Sequence, residues 1–230
     1  MKSAFWIVTA DYVKEAQTSS VSLKEVMPDV ERWLFSPDLP ENPGKFTHFR
    51  RLPERQSEQW FVDCTRYVIE ALEQLSDLCL YLDSDTYFIY EVNELFAMLD
   101  RFDFVAAHAP GRRTAPTVHP IPECFPELNI GVIAMQNNPQ IRKLWQSVYA
   151  AQLEYPHVYG RSDQAPLREV LWQDRDLRWA VIPPEYNCRF QFGTFVRDPV
   201  RVLHGRGDYR QVAQSINSKK GKRTWQPECS

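Results

Sequence analysis

The chain has 230 residues, 43% of them hydrophobic, and a formal net charge of −3. That length supports one sizeable core, and that composition excludes a disordered chain. The slight negative charge argues against general nucleic-acid binding.

Segment 4–9 (AFWIVT) reads as a buried first strand. It has too few apolar residues, and no small-residue cleavage site, for a signal peptide. Apolar or small residues at 13, 16, 20, 23 and 27 then recur at helical spacing. Residues 32–35 (RWLF) suggest a short strand. Residues 36–57, rich in Pro, Arg and Glu, read as a surface excursion. Positions 61, 64, 68, 71, 72 and 75 form an apolar stripe, which predicts a helix over 59–76. A strand at 78–82, a short helix at 93–99 and a strand at 102–107 follow. Residues 109–126 carry five prolines and no period; such long loops often carry function. A strand at 130–135, a helix at 139–153, a helix at 163–172 capped by Ser162, and strands at 179–182 and 200–204 complete the pattern. No apolar run reaches the roughly 18 residues of a membrane span. The cysteines, Cys64, Cys79, Cys124, Cys188 and Cys229, are odd in number and lack a CxxC pair. That argues against a zinc knuckle and a disulfide framework and suits free thiols in a reducing cytoplasm.

Strands alternating with helices predict an α/β fold with a mostly parallel central sheet flanked by helices. We read residues 1–208 as one domain and 209–230 as a polar, basic tail. Ligands of such sheets bind at the carboxyl ends of strands. Asp83 and Asp85 stand there, after the apolar run 78–82. Ser84 points the other way, so the two carboxylates can converge. Carboxylates this close repel unless a cation lies between them, and a hard divalent ion (Mg²⁺ or Mn²⁺) resolves the repulsion. A solvated turn or a helix cap is the plainer alternative.

The neighbouring motifs narrow the choice. "YLDSDTYF" resembles the DxD segment of retaining GT-A glycosyltransferases of the glycogenin and lipopolysaccharide galactosyltransferase type (glycosyltransferase family 8). "VTADYVKEAQTSSVSLKEVMP" is similar to that family's first strand and helix. "LNIGVIAM" is similar to its Asn-x-Gly strand, "SDQAPL" to its Asp-Gln pair, "IPPEYNCRF" to its late Leu-Pro…Asn segment, and "VLHGRG" to its late histidine and glycine. The resemblance spans most of residues 4–207 and rests on short motifs in order.

It implies a GT-A nucleotide-diphospho-sugar transferase fold and a metal-dependent hexosyltransferase. The donor would be a UDP-sugar, UDP-glucose or UDP-galactose. The acceptor would be a glycan, lipid-linked or protein hydroxyl. Thr9, Ala10 and Tyr12 would hold the base; the alternative for Tyr12 is a core aromatic. Arg66 would reach the donor phosphates, or else be a solvated helix arginine. Asp83 and Ser84 would meet the nucleotide, and Asp83, Asp85 and His204 would hold Mn²⁺ or Mg²⁺. Asn129, Gly131, Asp163 and Gln164 would line the donor sugar. Gln164, with Asp163, would act near the anomeric carbon, stabilising an oxocarbenium-like transition state. Gly205 would admit a phosphate. The family's lysine after that glycine is missing, and "HGRGDYR" offers Arg206 or Arg210 instead.

Two other functions compete. "LDSDT" also fits the first motif of haloacid-dehalogenase-type phosphatases, with Asp83 as nucleophile. A degenerate, non-catalytic nucleotide-sugar binder would keep the same ligands without turnover. The basic segment 219–225 reads as a frayed terminus, or as a peripheral contact with the inner face of a membrane.

Overall fold

The computed structural model describes residues 1–38, 44–110 and 116–227. The elements in chain order are β1 (Lys2–Ile7), α1 (Val13–Val26), β2 (Glu31–Ser36), β3 (His48–Arg51), α2 (Trp60–Leu72), β4 (Leu78–Leu82), β5 (Thr86–Phe88), α3 (Asn93–Met98), β6 (Phe104–His108) and β7 (Leu128–Gln136). They continue with α4 (Pro139–Glu154), α5 (Pro156–Tyr159), α6 (Gln164–Gln173), β8 (Trp179–Ile182), β9 (Cys188–Arg189), β10 (Thr194–Val196), β11 (Val202–His204), α7 (Tyr209–Ile216) and β12 (Arg223–Trp225).

Alternation along each strand divides the core into two layers, because successive side chains leave a sheet on opposite faces. Phe5 and Ile7 of β1, Cys79 and Tyr81 of β4, and Ile133 and Met135 of β7 face one layer. Helices α2, α4 and α6 cover it through Tyr67, Leu72, Leu144, Trp145 and Leu171. Ala4, Trp6, Leu80, Leu82, Val132 and Ala134 face the other, covered by α1 and α3 through Ala16, Leu23, Leu95 and Phe96. Burial on both faces explains why these strands read as continuous apolar runs.

The main sheet has seven strands in the order β3-β2-β1-β4-β7-β6-β8. It is mostly parallel; β7 runs antiparallel to both β4 and β6. The helical connections between parallel strands leave the carboxyl ends of β1 and β4 side by side, and β1 pairs β4 directly. A three-stranded sheet, β5-β11-β9, stands beyond those ends, and β10 pairs β12 separately.

Three local expectations change. The excursion at 36–57 contains β3, which pairs in parallel with β2. The first residue of α6 is Gln164, with Asp163 at the cap position. Ser162 still serves the helix start, since its Oγ accepts from the Ala165 N–H at 3.3 Å. Within 209–230, expected as a polar, basic tail, Tyr209–Ile216 form α7 and Arg223–Trp225 form β12. Ile216 is buried there, and the Trp225 indole donates to the Phe190 carbonyl at 2.7 Å. The helix is polar on one face only, so its composition hides an apolar stripe.

Cys64, Cys79 and Cys188 are buried free thiols and Cys124 is an exposed one. Cys229 lies outside the described residues, as do positions 39–43 and 111–115 of the two expected surface loops. No helix among the described residues is long and apolar enough to cross a membrane.

Candidate active site

The turn between β4 and β5 is fixed by one polar stripe on α1. Glu15, Ser19 and Ser22 follow at helical spacing, so they share a face. Ser84 Oγ donates to Glu15 Oε2 at 2.5 Å. The hydroxyls of Ser19 and Thr86 meet at 2.7 Å, and the Phe88 N–H donates to Ser22 Oγ at 3.0 Å. Ser19 also accepts from the buried Trp6 indole at 3.0 Å. Three small or acidic side chains thus lock the turn carrying the aspartates.

β11 then delivers the histidine. It pairs antiparallel with β5, placing His204 opposite Thr86. His204 Nε2 lies 3.3 Å from Asp83 Oδ2 and 3.4 Å from Asp85 Oδ1. Candidate ligand atoms of all three residues lie within 4.8 Å of one another. Gly131 of β7 backs onto the imidazole and leaves no room for a side chain. Gly205 follows at φ +128°, a conformation that favours glycine, and its N–H donates to the Asp85 carbonyl at 2.9 Å.

The charges are tightly linked. Burial alone would raise the Asp85 carboxyl, but the His204 contact and the charges of His204, Arg206 and Arg189 outweigh it and hold it below the usual range. Burial would lower the His204 imidazole, and the two aspartates outweigh that in turn, raising it. Asp163, half-buried in the same cleft, has its carboxyl pushed up to about 7 by burial and then by the charge of Asp83. Burial, with the charge of Asp163, also pushes the Cys64 thiol up, so it is no ready nucleophile.

Asp83, Asp85, Asp163 and Cys64 border a cleft of about 310 Å³ that also includes Tyr12, Trp60, Tyr81 and Arg206, with His204 behind the two aspartates. A larger open groove of about 850 Å³ runs between α4 and α6, beside His119 and Glu169. It shares no residue with the carboxylate cluster, so size alone does not mark the site. The donor set fits a divalent cation: two carboxylates offer hard oxygens, and imidazole suits Mn²⁺ better than Mg²⁺.

No protein-family model matches the chain, and no curated protein does. Among solved structures it is similar to the glycosyltransferase GlyE of Streptococcus pneumoniae TIGR4, with a TM-score of 0.65 and 15% identity. That match covers 96% of this chain and 57% of GlyE, so the chain spans just over half of its length. It is also similar to the galactosyltransferase LgtC, in complex with donor and acceptor sugar analogs, with a TM-score of 0.66 and 14% identity. There 94% of this chain and 96% of LgtC are covered. The fold is GT-A. At these identities the likeness establishes architecture, and the side chains are read from this chain alone.

Within the GT-A frame, the expected residues divide. Asp83, Ser84, Asp85, Tyr12, Asp163 and Arg206 border the cleft, and His204 closes on its aspartates. Arg206 donates to Glu15 at 2.7 and 3.0 Å and lies 5.4 Å over the Tyr12 ring. Other expected residues are engaged elsewhere. Arg66 is paired at 3.0 Å with both Asp63 and Glu70 and does not line the cleft. The Ala10 N–H donates to Asp38 at 3.0 Å, while Thr9 precedes the 3-10 turn Ala10–Tyr12. Asn129 Oδ1 accepts from the Gly131 N–H at 3.0 Å, bracing β7. Gln164 Nε2 donates to Glu127 at 3.2 Å. Arg210 lies at the start of α7 and borders a separate cavity with Lys14 and Lys45.

Three side chains at the site, Glu15, Arg189 and Gln191, went unpredicted, and a fourth, Asn187, is matched only as the asparagine of the late segment, with no role. Glu15 clamps Ser84 and Arg206. Asn187 Oδ1 meets His204 Nδ1 at 2.8 Å. Arg189 Nη1 meets His204 Nε2 at 2.8 Å, and Gln191 lines the cleft beside it. The polar stripe on α1 was the available signal for Glu15. Nothing local marks Arg189, whose position depends on which strand β9 pairs with.

Proposed function

We propose that the chain is a metal-dependent glycosyltransferase. It moves a hexose from a UDP-sugar, UDP-glucose or UDP-galactose, to a glycan, lipid-linked or protein hydroxyl, with retention of anomeric configuration. The convergence of Asp83, Asp85 and His204 within 4.8 Å, with both aspartates on the cleft wall, carries this reading. GlyE and LgtC, glycosyltransferases by name, support it through the shared fold.

Asp83, Asp85 and His204 would hold Mn²⁺ or Mg²⁺, whose charge would offset that gathering on the departing diphosphate. The half-exposed Tyr12 ring gives the base a stacking surface. Arg206, oriented by Glu15, faces the phosphates. Asp163 takes donor-sugar hydroxyls. Gln164 takes the anomeric carbon, which requires its amide to leave Glu127. Asn129 and Gly131 act at one remove, by shaping β7 behind His204, and Gly205 gives phosphate close access to backbone. The acceptor hydroxyl attacks from the side the diphosphate leaves, and the diphosphate takes its proton.

The phosphatase reading needs Asp83 as a free nucleophile and a second aspartate as its acid, whereas both aspartates face one histidine. The binder reading is favoured by one observation, the engagement of Gln164 by Glu127.

The test is UDP release from a panel of UDP-sugars with Mn²⁺. At least one UDP-hexose is expected to be turned over, with activity lost in Asp85→Ala and His204→Ala. No release from any nucleotide sugar refutes the enzyme. Metal-dependent UDP binding without turnover then selects the binder. Peripheral membrane contact in the cytoplasm rests on the exposed Lys219, Lys220 and Lys222. Arg223 is held by the carbonyls of Ile216 and Gly221 at 2.9 and 3.0 Å. The lysines alone should therefore be replaced by alanine; unchanged co-sedimentation with anionic vesicles ends that idea.

A further inference from the structure

The carboxylate–histidine cluster already has a cation of the protein's own beside it. Strands β9 and β11 pair in parallel with Arg189 opposite His204, and Arg189 Nη1 sits 2.8 Å from His204 Nε2. A guanidinium only donates, so this contact takes up the Nε2 lone pair, while the carboxylates of Asp83 and Asp85 approach the same nitrogen as acceptors at 3.3 and 3.4 Å. Asn187 Nδ2 donates to the Asn129 carbonyl at 3.1 Å, which turns Asn187 Oδ1 toward Nδ1. That network assigns a ring hydrogen to Nδ1. Nε2 is the atom a metal ion would need, and Arg189 Nη1 already faces it.

Arg206, the other cation at the cleft, is clamped by two bonds to Glu15. Arg189 makes no ion pair of that kind among the described residues. Its guanidinium lies 5.6 Å from the Phe192 ring centroid. Arg189 is also a shared wall: it borders the 310 Å³ cleft and a neighbouring cavity of about 340 Å³ lined by Pro184, Asn187 and Phe195. The side chain therefore has open space on both sides through which to leave His204.

We propose that Arg189 competes with the divalent cation for His204 and the two aspartates, and that the donor's diphosphate draws it away. The inference rests on the nucleotide-sugar reading of this site. A metal ion arriving alone has to displace the guanidinium and seat its own charge beside it. A diphosphate offers that guanidinium a forked set of oxygens, the partner its geometry suits best. Metal and nucleotide then bind as a coupled pair, each raising the affinity of the other by the same factor.

The experiment measures free Mn²⁺ by electron paramagnetic resonance in titrations with and without UDP, for the wild type, Arg189→Gln and Arg189→Lys. Arg189→Gln is expected to bind Mn²⁺ alone about tenfold tighter than wild type, within the usual span of such couplings. UDP should then tighten Mn²⁺ binding much less in that variant than in wild type. Arg189→Lys, which keeps the charge and loses the fork, should fall between. Mn²⁺ binding no tighter in Arg189→Gln than in wild type overturns the inference and leaves the metal site standing. Equal UDP enhancement in the two proteins does the same. No Mn²⁺ binding by any of the three, with or without UDP, overturns the inference and the metal-dependent reading together. Should Arg189→Gln fail to fold, Arg189→Lys decides on the same comparisons.

Discussion

A methyl group on Gly131 would lie 2.0 Å from His204 Cε1 and 2.5 Å from Nδ1. No real contact is that short, and the imidazole, 1% exposed, has little room to retreat. Gly131→Ala is therefore expected to turn His204 out of line with Asp83 and Asp85. Residues that orient a metal ligand are commonly worth about 10–100-fold in metal affinity, and that is the loss expected in an Mn²⁺ titration. The main sheet should survive, because β7 pairs on both sides through backbone groups. An unchanged Mn²⁺ affinity with a native circular dichroism spectrum would show that His204 is not held by this contact. The glycine of the Asn-x-Gly segment thus has a use that its sequence likeness did not suggest. It makes space for the side chain of His204, 73 residues further on.

At the scale of single elements, α2 illustrates how a charged residue can belong to the frame. Asp63 is 1% exposed and accepts from the backbone N–H groups of Gln56 and Ser57, each at 3.0 Å. Burial would raise its carboxyl, but those bonds and the Arg66 contact outweigh it and hold the carboxyl below its ordinary value. The sign follows from linkage. A depressed folded-state pKa gives stability that is present above the unfolded value and lost as pH falls through the folded one. Asp63→Asn should destabilise the chain at pH 7 by about 1–3 kcal/mol, the cost of weakening charged hydrogen bonds at a buried group. Urea unfolding should show the gap from wild type closing below about pH 4, near the unfolded aspartate value. A gap independent of pH would mean that shape, not charge, matters there. Arg66 illustrates the limit of reading helices from sequence. Its place before the aspartate strand was visible, but its engagement by Asp63 and Glu70 depends on rotation about the helix axis. The buried strands were legible because both faces are apolar. β3, with the sequence HFRR and two exposed arginines, gave no such signal. β5 and β9 are three and two residues long, too short for any period to show, whereas β11 falls inside the strand expected at 200–204.

Across the whole molecule, the site is where a large sheet meets a small one. The aspartates come from the carboxyl end of β4, and His204 and Arg189 come from the β5-β11-β9 sheet. The first contribution was legible, because an apolar strand ending in Asp-x-Asp is a local pattern. Of the second, His204 was legible only through the family resemblance, because its place depends on the β5–β11 pairing of segments more than a hundred residues apart. Arg189 was not legible, because the two-residue β9 that carries it has no pattern of its own. The tail shows the same limit. Its polar composition concealed that α7 and β12 close the back of the small sheet. Cys188, Phe190, Val200 and Leu203 form a third core with Ile216, and Trp225 packs against it. Cys188 and Leu203 are the chain neighbours of Arg189 and His204, so the tail supports the strands that carry the site. Ile216, 2% exposed, is the one buried residue of α7. Ile216→Ala removes buried apolar volume, a change that typically costs about 2–5 kcal/mol. The small sheet has its own core, so the loss should appear as local opening before global unfolding. Hydrogen exchange is expected to quicken at 188–189 and 202–204 while the β1 and β4 amides stay protected. Mn²⁺ affinity should fall in step, although residue 216 touches none of the metal-ligand candidates. Faster exchange confined to 209–225, with Mn²⁺ binding intact, would make the tail an appendage rather than part of the site's foundation.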